Sequence, residues 1–315
     1  MASELTQAHL RQQLTDPGED RGAGQGGKQA AARLGTLIAG RYELLSVIDS
    51  GGQGSVYRAR DRREGDLVAV KIIKDDFARD PDWRERLMRE GQALAQLSGT
   101  AAVHVFEQCW SDDGALCTVM ELLEGADLQT VVERLEAQGI PFPVDGIPVV
   151  FGPVVSTLER AHSLGIVHRD LKPANLFVVD SRPTPTIRVL DFGFAKFTRM
   201  RSFTVAGTVA GSPSFVAPEM WMGSTQLDHR LDVYSLAAVV FRVLTRHPPF
   251  HSQDLLQLCQ LATQAPRPGL RSFRPELPPE IDDWAQLALA IDPQERFQSV
   301  RALYSALLRA LKLPG

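Results

Sequence analysis

A glycine-rich segment lies between two predicted strands, where Ser50 is followed by Gly51, Gly52 and Gly54 and then by Val56. Because glycine has no side chain, the backbone amides of such a segment can approach phosphate oxygens closely. The chemistry this favours is the binding of a nucleotide through its phosphates. Glycine-rich hairpin turns are common in proteins, however, so the segment by itself does not establish a nucleotide site.

A lysine inside an apolar strand is the second candidate. Lys71 lies within the run Leu67–Ile73, where a charge is costly to bury unless an anionic group meets it. Glu90, on a helix predicted over Asp82–Leu97, can supply that carboxylate, although Glu85 on the same helix is an alternative. A lone lysine on an edge strand is usually solvated, so the pair is suggestive without being diagnostic.

The third group of residues is the most specific, because several motifs occur in a fixed order. The segment Ile166–Leu176 reads IVHRDLKPANL, and Asp191–Gly193 reads DFG. Downstream, Ala217–Glu219 reads APE and Asp232–Leu236 reads DVYSL. With these motifs the chain resembles the eukaryotic-type protein kinase family, as a bacterial-like member, and the resemblance covers about Arg41–Leu311.

The resemblance implies catalytic roles for four residues of these motifs. Asp170 would accept the proton of the substrate hydroxyl and orient that hydroxyl toward the γ-phosphorus. Asn175 and Asp191 would hold two Mg²⁺ ions, since hard oxygen ligands suit a hard cation. Lys172 would meet the transferred phosphoryl group. ATP and Mg²⁺, with Mn²⁺ as an alternative metal, are therefore the implied cofactors.

The resemblance also implies which residues would contact the nucleotide. Lys71, fixed by Glu90, would neutralise the α and β phosphates, and Met120 would guard the back of the adenine pocket. The backbone of Glu121 and Leu123 would form hydrogen bonds with adenine. The remaining predicted nucleotide contacts are Ile48, Gly51, Gly52, Gly54, Val56 and Ala69.

Regulation is implied by the activation segment, Asp191–Glu219. In this family an arginine at the position of Arg169 commonly binds a phosphorylated residue on that segment. Thr204 and Thr208 are our candidates for autophosphorylation, with ordinary loop threonines as the alternative interpretation. Arg296 stands where the family has the arginine that pairs with the glutamate of the APE motif.

Hydroxyl specificity follows from two positions of the resemblance. Lys172, two residues after Asp170, and Gly211 with Ser212 fit the pattern of Ser/Thr-specific members. The predicted function is transfer of the γ-phosphoryl group of Mg-ATP to Ser or Thr hydroxyls of protein substrates, in bacterial signalling. A transient dimer would allow autophosphorylation in trans, and a phosphothreonine-binding partner is a hypothesis by analogy.

The element pattern and the resemblance agree on an α+β, bilobal protein-kinase-like fold. Short apolar runs before Gly125 predict a small antiparallel β-sheet lobe with one helix, and helical periodicity after it predicts a large, mostly α-helical lobe. We expect a disordered N-terminal tail over residues 1–37 and a kinase domain over 38–312. Within that domain, the N-lobe spans about 38–122 and the C-lobe about 126–312.

Composition narrows the partners and the location. The 315 residues carry a formal net charge of -4, which provides no basic field for nucleic acid or for an anionic membrane surface. No apolar run reaches the roughly 18 to 20 residues of a membrane span, and the N-terminus lacks the apolar core of a signal peptide. We therefore predict a cytoplasmic protein. Cys109, Cys117 and Cys259 are interpreted as buried, reduced thiols.

Two departures from the family pattern leave alternatives open. Asp49 replaces the first glycine of the loop, where its charge could weaken ATP binding or point to solvent. Pro148 and Pro153 fall where the family has a long helix, and Pro153 is expected to kink or delay it. These features support a pseudokinase scaffold, against which the complete set of catalytic residues argues. A small-molecule phosphotransferase of related fold is the other alternative, disfavoured by the segment Gly211–Glu219.

Overall fold

A computed structural model describes residues 30–51, 54–73, 95–180, 186–192 and 213–314. These residues divide into two compact units, a small one that ends at Glu124 and a large one that begins at Gly125. The small unit is a β-sheet and the large unit is mostly helical. The α+β class predicted from the sequence is therefore confirmed.

The small unit contains a six-stranded antiparallel sheet with the strand order β1-β2-β3-β4-β6-β5. Consecutive strands are joined by short connections, except that the predicted helix Asp82–Leu97 falls between β4 and β5, almost wholly outside the described residues. The strands are β1 Leu37–Ile38, β2 Tyr42–Gly51, β3 Gly54–Asp61, β4 Leu67–Ile73, β5 Val105–Trp110 and β6 Leu116–Glu121.

One face of this sheet carries the apolar core of the small unit. In β3 and β4, alternate residues such as Tyr57, Ala59, Val68 and Val70 are buried in that core, as the two-residue period of a strand requires. The residues between them, including Lys71, point to the opposite face. The sheet thus separates the packing residues from the predicted nucleotide contacts.

The predicted tail boundary at residue 37 is wrong, because the small unit already includes residues 30–37. Ala30 is buried in the apolar core, and the Tyr57 hydroxyl donates a hydrogen bond to its carbonyl oxygen at 3.2 Å. Arg33 forms an ion pair with Asp113, and β1 pairs with β2 through Leu37. Glycine and polar residues dominate the tail as a whole, but its last residues satisfy their backbone groups by adding a strand to the sheet. Residues 1–29 lie outside the described part of the chain.

The large unit consists of helices and a small three-stranded sheet with the order β7-β8-β9. The chain forms one turn of 3₁₀ helix at Pro173–Asn175, just before β8. The strands are β7 Gly125–Asp127, β8 Leu176–Val179 and β9 Thr186–Val189. The helices are α1 Leu128–Ala137, α2 Ile147–Ser163, α3 Pro218–Trp221, α4 Arg230–Thr245, α5 Leu255–Gln264, α6 Glu280–Ala288 and α7 Val300–Ala310.

Helix α2 continues through Pro153, so the expected delay of this helix is wrong. The sequence pattern predicts a helix only from Ser156, whereas α2 starts at Ile147 with Pro148 in its first turn. Proline is tolerated there because the first N–H groups of a helix have no intrahelical partner. Pro153 costs about 3 kcal/mol, but each large apolar side chain that the helix buries contributes roughly 1.5–3 kcal/mol. The buried face comprises Ile147, Val150, Phe151, Val154, Val155, Leu158 and Ala161.

Helix α4 forms the centre of the large unit. Every residue from Leu231 to Thr245 is buried, and both α6 and α7 pack against the helix. The carboxylate of Asp232, at the start of α4, therefore lies deep in the large unit, where it needs several hydrogen-bond donors. No helix in the described part of the chain is long and apolar enough to cross a bilayer.

Candidate active site

The catalytic loop, residues 166–175, connects α2 to the turn before β8, and Asp232 anchors it. The Asp232 carboxylate accepts hydrogen bonds from the backbone N–H of His168 at 2.8 Å and of Arg169 at 2.9 Å. The His162 ring Nε2 lies 2.8 Å from the same carboxylate. Arg169 has a left-handed backbone with φ of 64°, a conformation that costs free energy and requires such support.

The charge on Asp232 is stabilised although the residue is fully buried. Burial by itself would raise the pKa of its carboxyl, but the His162 ring and the hydrogen bond from His168 outweigh burial and hold the pKa below its usual value. An ionised carboxylate can accept all of these hydrogen bonds, whereas a protonated one would have to donate in one direction. Asp232 thus fixes the backbone of His168 and Arg169, the two residues that precede Asp170.

His168 is held as a neutral ring. Burial lowers its pKa, and both ring nitrogens face backbone groups. Nε2 lies 2.9 Å from the carbonyl oxygen of Leu190, to which it donates, while Nδ1 accepts from the N–H of Asp170 at 3.3 Å. Only a neutral imidazole donates at one nitrogen and accepts at the other. The ring also packs against Phe192, with centroids 4.6 Å apart, which agrees with its interpretation as a packing and hydrogen-bonding residue.

Asp170 and Lys172 lie side by side in the loop. The Lys172 ammonium donates to the Asp170 carboxylate at 3.2 Å, and the two side chains are only 14% and 11% exposed. A partly buried, charge-assisted hydrogen bond of this kind holds both side chains in place. The pair offers an acceptor for a hydroxyl proton next to a cation that can neutralise phosphate oxygens.

Asn175 and Asp191 lie at the same end of the β8–β9 hairpin. β8 starts directly after Asn175, Leu176 pairs with Val189, and the N–H of Leu190 donates to the Asn175 carbonyl oxygen at 2.8 Å. The Asn175 side chain donates through Nδ2 to the carbonyl oxygen of Asp170 at 2.7 Å. Because a carbonyl can only accept, the amide oxygen of Asn175 must be directed elsewhere. Asp191 is in a left-handed conformation with φ of 52°.

The amide oxygen of Asn175 and the carboxylate of Asp191 fit a magnesium site that substrate phosphates complete. In the described part of the chain, no cluster of three or more His, Cys, Asp or Glu side chains could hold a metal ion by itself. Magnesium is commonly bound through one or two protein carboxylates together with substrate phosphates and water, rather than by an all-protein cage. The amide oxygen of Asn175 and the carboxylate of Asp191 match that requirement, and a bound nucleotide would complete it.

A buried ion pair holds Glu219, the last residue of the activation segment. Arg296 binds Glu219 through two hydrogen bonds of 2.8 and 2.6 Å, and the side chains are 0% and 6% exposed. Arg296 also donates to three backbone carbonyl groups and stacks over the Tyr234 ring, 5.0 Å from its centroid. The pairing expected from the APE motif is therefore present. Breaking such a pair typically costs 3–5 kcal/mol, because an uncompensated charge remains buried.

The register of the small sheet places the predicted nucleotide contacts on one face. Lys71 lies opposite Val56 on β3 and opposite Thr118 on β6, while Ala69 lies opposite Met120. Directly opposed residues point to the same side, and so do residues two apart along one strand. Val56, Ala69, Lys71 and Met120 consequently share the face opposite to the apolar core.

The glycine hairpin, residues 48–56, includes a β-bulge that is not evident from the sequence. Val47 pairs with Tyr57, but Asp49 pairs with Val56, so Ile48 is an extra residue and is 52% exposed. Asp49 is exposed, and its carboxylate accepts from the N–H of Ser50 at 2.8 Å. The departure from the family's glycine is therefore accommodated in β2 by a local hydrogen bond.

Gly54 is required by the packing of the sheet. Its φ of +150° is rarely adopted by residues with a side chain, and a Cβ atom there would overlap the carbonyl oxygen of Ile72. Gly51 has no such constraint, because a Cβ atom added to it would meet open space. The two glycines of the same hairpin thus have different reasons to be present.

The end of β6 carries the predicted adenine contacts. The N–H of Glu121 donates to the His104 carbonyl oxygen at 2.9 Å, and its side chain accepts from the His104 N–H at 2.8 Å. Glu121 would therefore accept a hydrogen bond from adenine through its carbonyl oxygen. Leu123 follows in the connection to the large unit and is half-buried.

Several predicted residues fall outside the described part of the chain, namely Gly52, Glu90, Thr204 and Thr208. Sequence reasoning noted Asp232 only as part of a motif and missed that it anchors the loop. A signal was available, because Asp232 is the one acidic residue in a 16-residue stretch that is otherwise largely apolar, Arg230–Thr245. Such a residue needs a buried partner.

Comparison with known proteins agrees with this geometry. Residues 42–307 match the protein kinase domain family. The chain is 33% identical to the serine/threonine-protein kinase PknA of Mycobacterium tuberculosis over 271 residues, which cover 85% of this chain and 60% of PknA. It is 32% identical to the serine/threonine-protein kinase Pkn3 of Myxococcus xanthus over 281 residues, 87% of this chain and 50% of Pkn3.

The structure is similar to that of the M. tuberculosis PknI kinase domain, with a TM-score of 0.69 and 26% sequence identity, covering 88% of this chain and 98% of that domain. The chain spans about 60% or less of the length of PknA and Pkn3. The family match, by contrast, covers most of the chain and includes every motif of the site. The chain therefore belongs to the eukaryotic-type protein kinase family, as a bacterial-like member.

Proposed function

We propose that the chain is an active protein Ser/Thr kinase that transfers the γ-phosphoryl group of Mg-ATP to hydroxyl groups of other proteins. The observation that carries this proposal is the fixed group of Asp170, Lys172 and Asn175 in the catalytic loop. Asn175 bonds to the backbone of Asp170, Lys172 bonds to its carboxylate, and Asp232 fixes the backbone before it. Phosphoryl transfer depends on such positioning and charge neutralisation more than on covalent catalysis.

In this mechanism, Asp170 accepts the proton of the substrate hydroxyl and aligns its oxygen with the phosphorus atom. Lys172, 3.2 Å from that carboxylate, is placed to neutralise charge on the transferred group. His168 takes no part in proton transfer, since both of its ring nitrogens are engaged by backbone groups. It acts by holding the Asp170 N–H and the Leu190 carbonyl at fixed positions.

Asn175 and Asp191 would hold the magnesium ions, which supply charge neutralisation on the phosphates when bound. Lys71 would bind the α and β phosphates, in the ion pair with Glu90 that the family resemblance implies. Val56 and Ala69 share the face of Lys71 and would pack against the adenine, with Met120 behind it. The presence of all of these residues in the sequence argues against the scaffold alternative.

Ser/Thr specificity is supported by Lys172 and by the names of PknA and Pkn3, both serine/threonine-protein kinases. We further propose that Thr204 or Thr208 is autophosphorylated and that Arg169 binds the resulting phosphate. Regulation through a phosphothreonine-binding partner, a cytosolic location and action in bacterial signalling belong to the same proposal.

The test compares wild-type protein with Asp170→Asn in Mg²⁺ and radiolabelled ATP, with a generic protein substrate. Removal of a general base typically lowers the rate by about 10²- to 10⁴-fold. Asp180→Asn is the matched control, because it makes the same change at an exposed position just after β8. Mass spectrometry then locates phosphate on the wild-type chain.

We expect label on substrate and on Thr204 or Thr208 for wild type and Asp180→Asn, and almost none for Asp170→Asn. Nucleotide binding, measured by calorimetry, should be similar in all three proteins, since Asp170 is proposed to act on the hydroxyl. Equal labelling of the two variants would contradict the proposed role of Asp170. No labelling of any protein, combined with weak nucleotide binding, would favour the pseudokinase scaffold.

A further inference from the structure

Two of the three cysteines lie directly opposite each other in the small sheet. Cys109 on β5 pairs with Cys117 on β6, in an uninterrupted antiparallel register with Gln108 opposite Thr118 and Trp110 opposite Leu116. Opposed residues of antiparallel strands point to the same face, so both sulfur atoms are on the apolar core side. The two cysteines are close in sequence because a short turn connects β5 and β6.

The spacing of the two residues suits a disulfide bond. The N–H of Ser111 donates to the Ala115 carbonyl oxygen at 2.9 Å, which marks Ser111 and Ala115 as a hydrogen-bonded pair. Hydrogen-bonded and non-hydrogen-bonded pairs alternate, so Cys109 and Cys117 are again of the hydrogen-bonded kind, with Cα atoms about 5.5 Å apart. Disulfides usually have Cα separations of about 4.4–6.8 Å. A bond between these cysteines therefore needs little movement of the backbone.

The two thiols differ in a way that gives them different chemical roles. Cys117 is completely buried, whereas Cys109 is half-buried. The neighbouring Cys117 thiol lowers the pKa of Cys109, whereas the Cys109 thiol and burial raise the pKa of Cys117, whose Sγ donates to the Ala115 carbonyl oxygen at 3.7 Å. The less buried cysteine is thus the one that more readily becomes a thiolate, the reactive form.

We propose that Cys109 and Cys117 form a peroxide-sensitive thiol pair that closes to an intramolecular disulfide across β5 and β6. The Cys109 thiolate attacks hydrogen peroxide, an S–O bond forms as the O–O bond breaks, and the hydroxide released takes up a proton to become water. The Cys117 sulfur, losing its proton, then attacks Cys109. An S–S bond forms as the S–O bond breaks, and a second water leaves. Two thiols and one peroxide give one disulfide and two waters.

The place of this pair in the sheet connects it with two other features. Cys117 precedes Met120 on the same strand, so a disulfide would fix β5 to the strand that carries the predicted adenine contacts. Cys117 also belongs to the apolar core that includes Ala30, the start of the N-terminal segment. Oxidation therefore acts within the small unit.

The experiment treats the purified, reduced full chain with hydrogen peroxide, alkylates the remaining thiols, and digests the protein at aspartate. Cleavage before Asp112 or Asp113 separates Cys109 from Cys117, so their fragments remain joined only if a disulfide links them. Cys259 on α5 is also half-buried and serves as the internal control. We expect the number of alkylated thiols to fall from three to one, with Cys259 still alkylated and the two fragments joined until a reductant is added.

Variants then assign the order of the two steps. Cys117→Ser removes the resolving thiol, so Cys109 should accumulate as a sulfenic acid that a dimedone-type reagent traps. Cys109→Ser should leave Cys117 unmodified, and Cys259→Ser should form the disulfide as wild type does. Both readouts are independent of kinase activity. Oxidation of Cys109 beyond the sulfenic acid in the wild type without linkage, linkage of Cys259 between chains, or three unmodified thiols would each overturn the proposal.

Discussion

The catalytic loop and the glycine hairpin are both short segments that carry predicted site residues, and they are anchored in different ways. The loop is fixed by buried polar side chains, with Asp232 and His168 together making hydrogen bonds to four backbone groups. The hairpin is fixed by strand pairing, and its distinctive side chains, Ile48 and Asp49, are exposed. A buried polar network specifies one geometry, because a buried polar group that loses its hydrogen-bond partner costs free energy.

This contrast predicts which substitutions should have a large effect. In the loop, a substitution that keeps size and alters only hydrogen-bonding capacity should be severe. In the hairpin, such a substitution should be mild, and only a change that introduces atoms where the strands approach closely should matter. Each of the following variants tests one side of this contrast.

The largest effect is expected for Asp232→Asn. An amide places an NH₂ group where the carboxylate accepts from a backbone N–H, so one donor of His168 or Arg169 loses its acceptor. We expect the free energy of unfolding of the large unit to fall by roughly 3 kcal/mol, and kinase activity by about 100-fold through displacement of the loop. Denaturant unfolding and phosphate transfer assays measure the two quantities.

Asp228→Asn is the matched control for this variant. Asp228 precedes α4 and its side chain is 44% exposed in an ion pair with Arg230, a class of interaction worth about 0–1 kcal/mol. If both variants lost the same stability and activity, the anchoring role of Asp232 would be wrong.

In the hairpin, the severe change is predicted to be Gly54→Ala. The new methyl group would overlap the Ile72 carbonyl oxygen, and the backbone would be held at a φ that alanine disfavours. We expect a loss of roughly 2–3 kcal/mol in the stability of the small unit. Gly51→Ala, where the added atom meets open space, should cost far less. Thermal unfolding of both variants measures the difference, and equal losses would show that strand contact at Gly54 is not the reason for the glycine.

The loop should also confer a pH dependence that the hairpin lacks. Burial lowers the pKa of His168 from its ordinary value of 6.5, so below about pH 6.5 the unfolded chain binds a proton that the folded chain does not. The free energy of unfolding should therefore decrease as the pH falls, by up to about 1.4 kcal/mol per pH unit for this residue.

Urea unfolding of the wild type and His168→Phe between about pH 7 and about pH 5.5 measures this contribution as a difference in slope. His251→Gln is the control, because His251 is exposed. The interpretation fails if the slope is unchanged when His168 is removed.

The sequence predicted the parts of the fold that depend on local pattern. Strand alternation predicts strands close to β2 to β6. Helical periodicity predicts helices over Leu128–Gln138, Leu231–Thr245, Ile281–Leu289 and Val300–Leu311, which match α1, α4, α6 and α7 to within a few residues. It misplaced the start of α2, because the burial of a whole helix face outweighs the preference of Pro153. It also missed β1, because pairing with β2 and the burial of Ala30 depend on residues distant in sequence.

The candidate site shows the same division. Motif order identified Asp170, Lys172, Asn175 and Asp191, yet it could not show that the Asn175 amide bonds to the Asp170 backbone. The bulge at Ile48 was equally hidden, since register is decided by pairing with β3 and by packing of both faces of the strand. The sequence motifs therefore identify the residues of the site, whereas their geometry depends on tertiary contacts that the sequence pattern does not show.

The smallest effect is expected for Asp49, the residue that departs from the family's glycine. Its carboxylate is exposed and bonds to the N–H of Ser50, so removing it should barely change stability. If the hairpin contacts the phosphates as the sequence predicts, Asp49→Gly should lower the KM for ATP by a few-fold, the size of a screened surface repulsion of about 0.5–1 kcal/mol. Steady-state kinetics at low and high salt measure this, and the gain should shrink as salt screens the charge.

Asp49→Asn separates charge from backbone conformation. The asparagine oxygen can keep the hydrogen bond from Ser50 while the negative charge is lost, so a purely electrostatic effect predicts the same KM for the Asn and Gly variants. If only the Gly variant binds ATP more tightly, the flexibility of glycine is the cause, because glycine reaches backbone conformations that asparagine rarely adopts. The hairpin would then be tuned by its backbone, and the contrast with the side-chain network of the catalytic loop would be sharper.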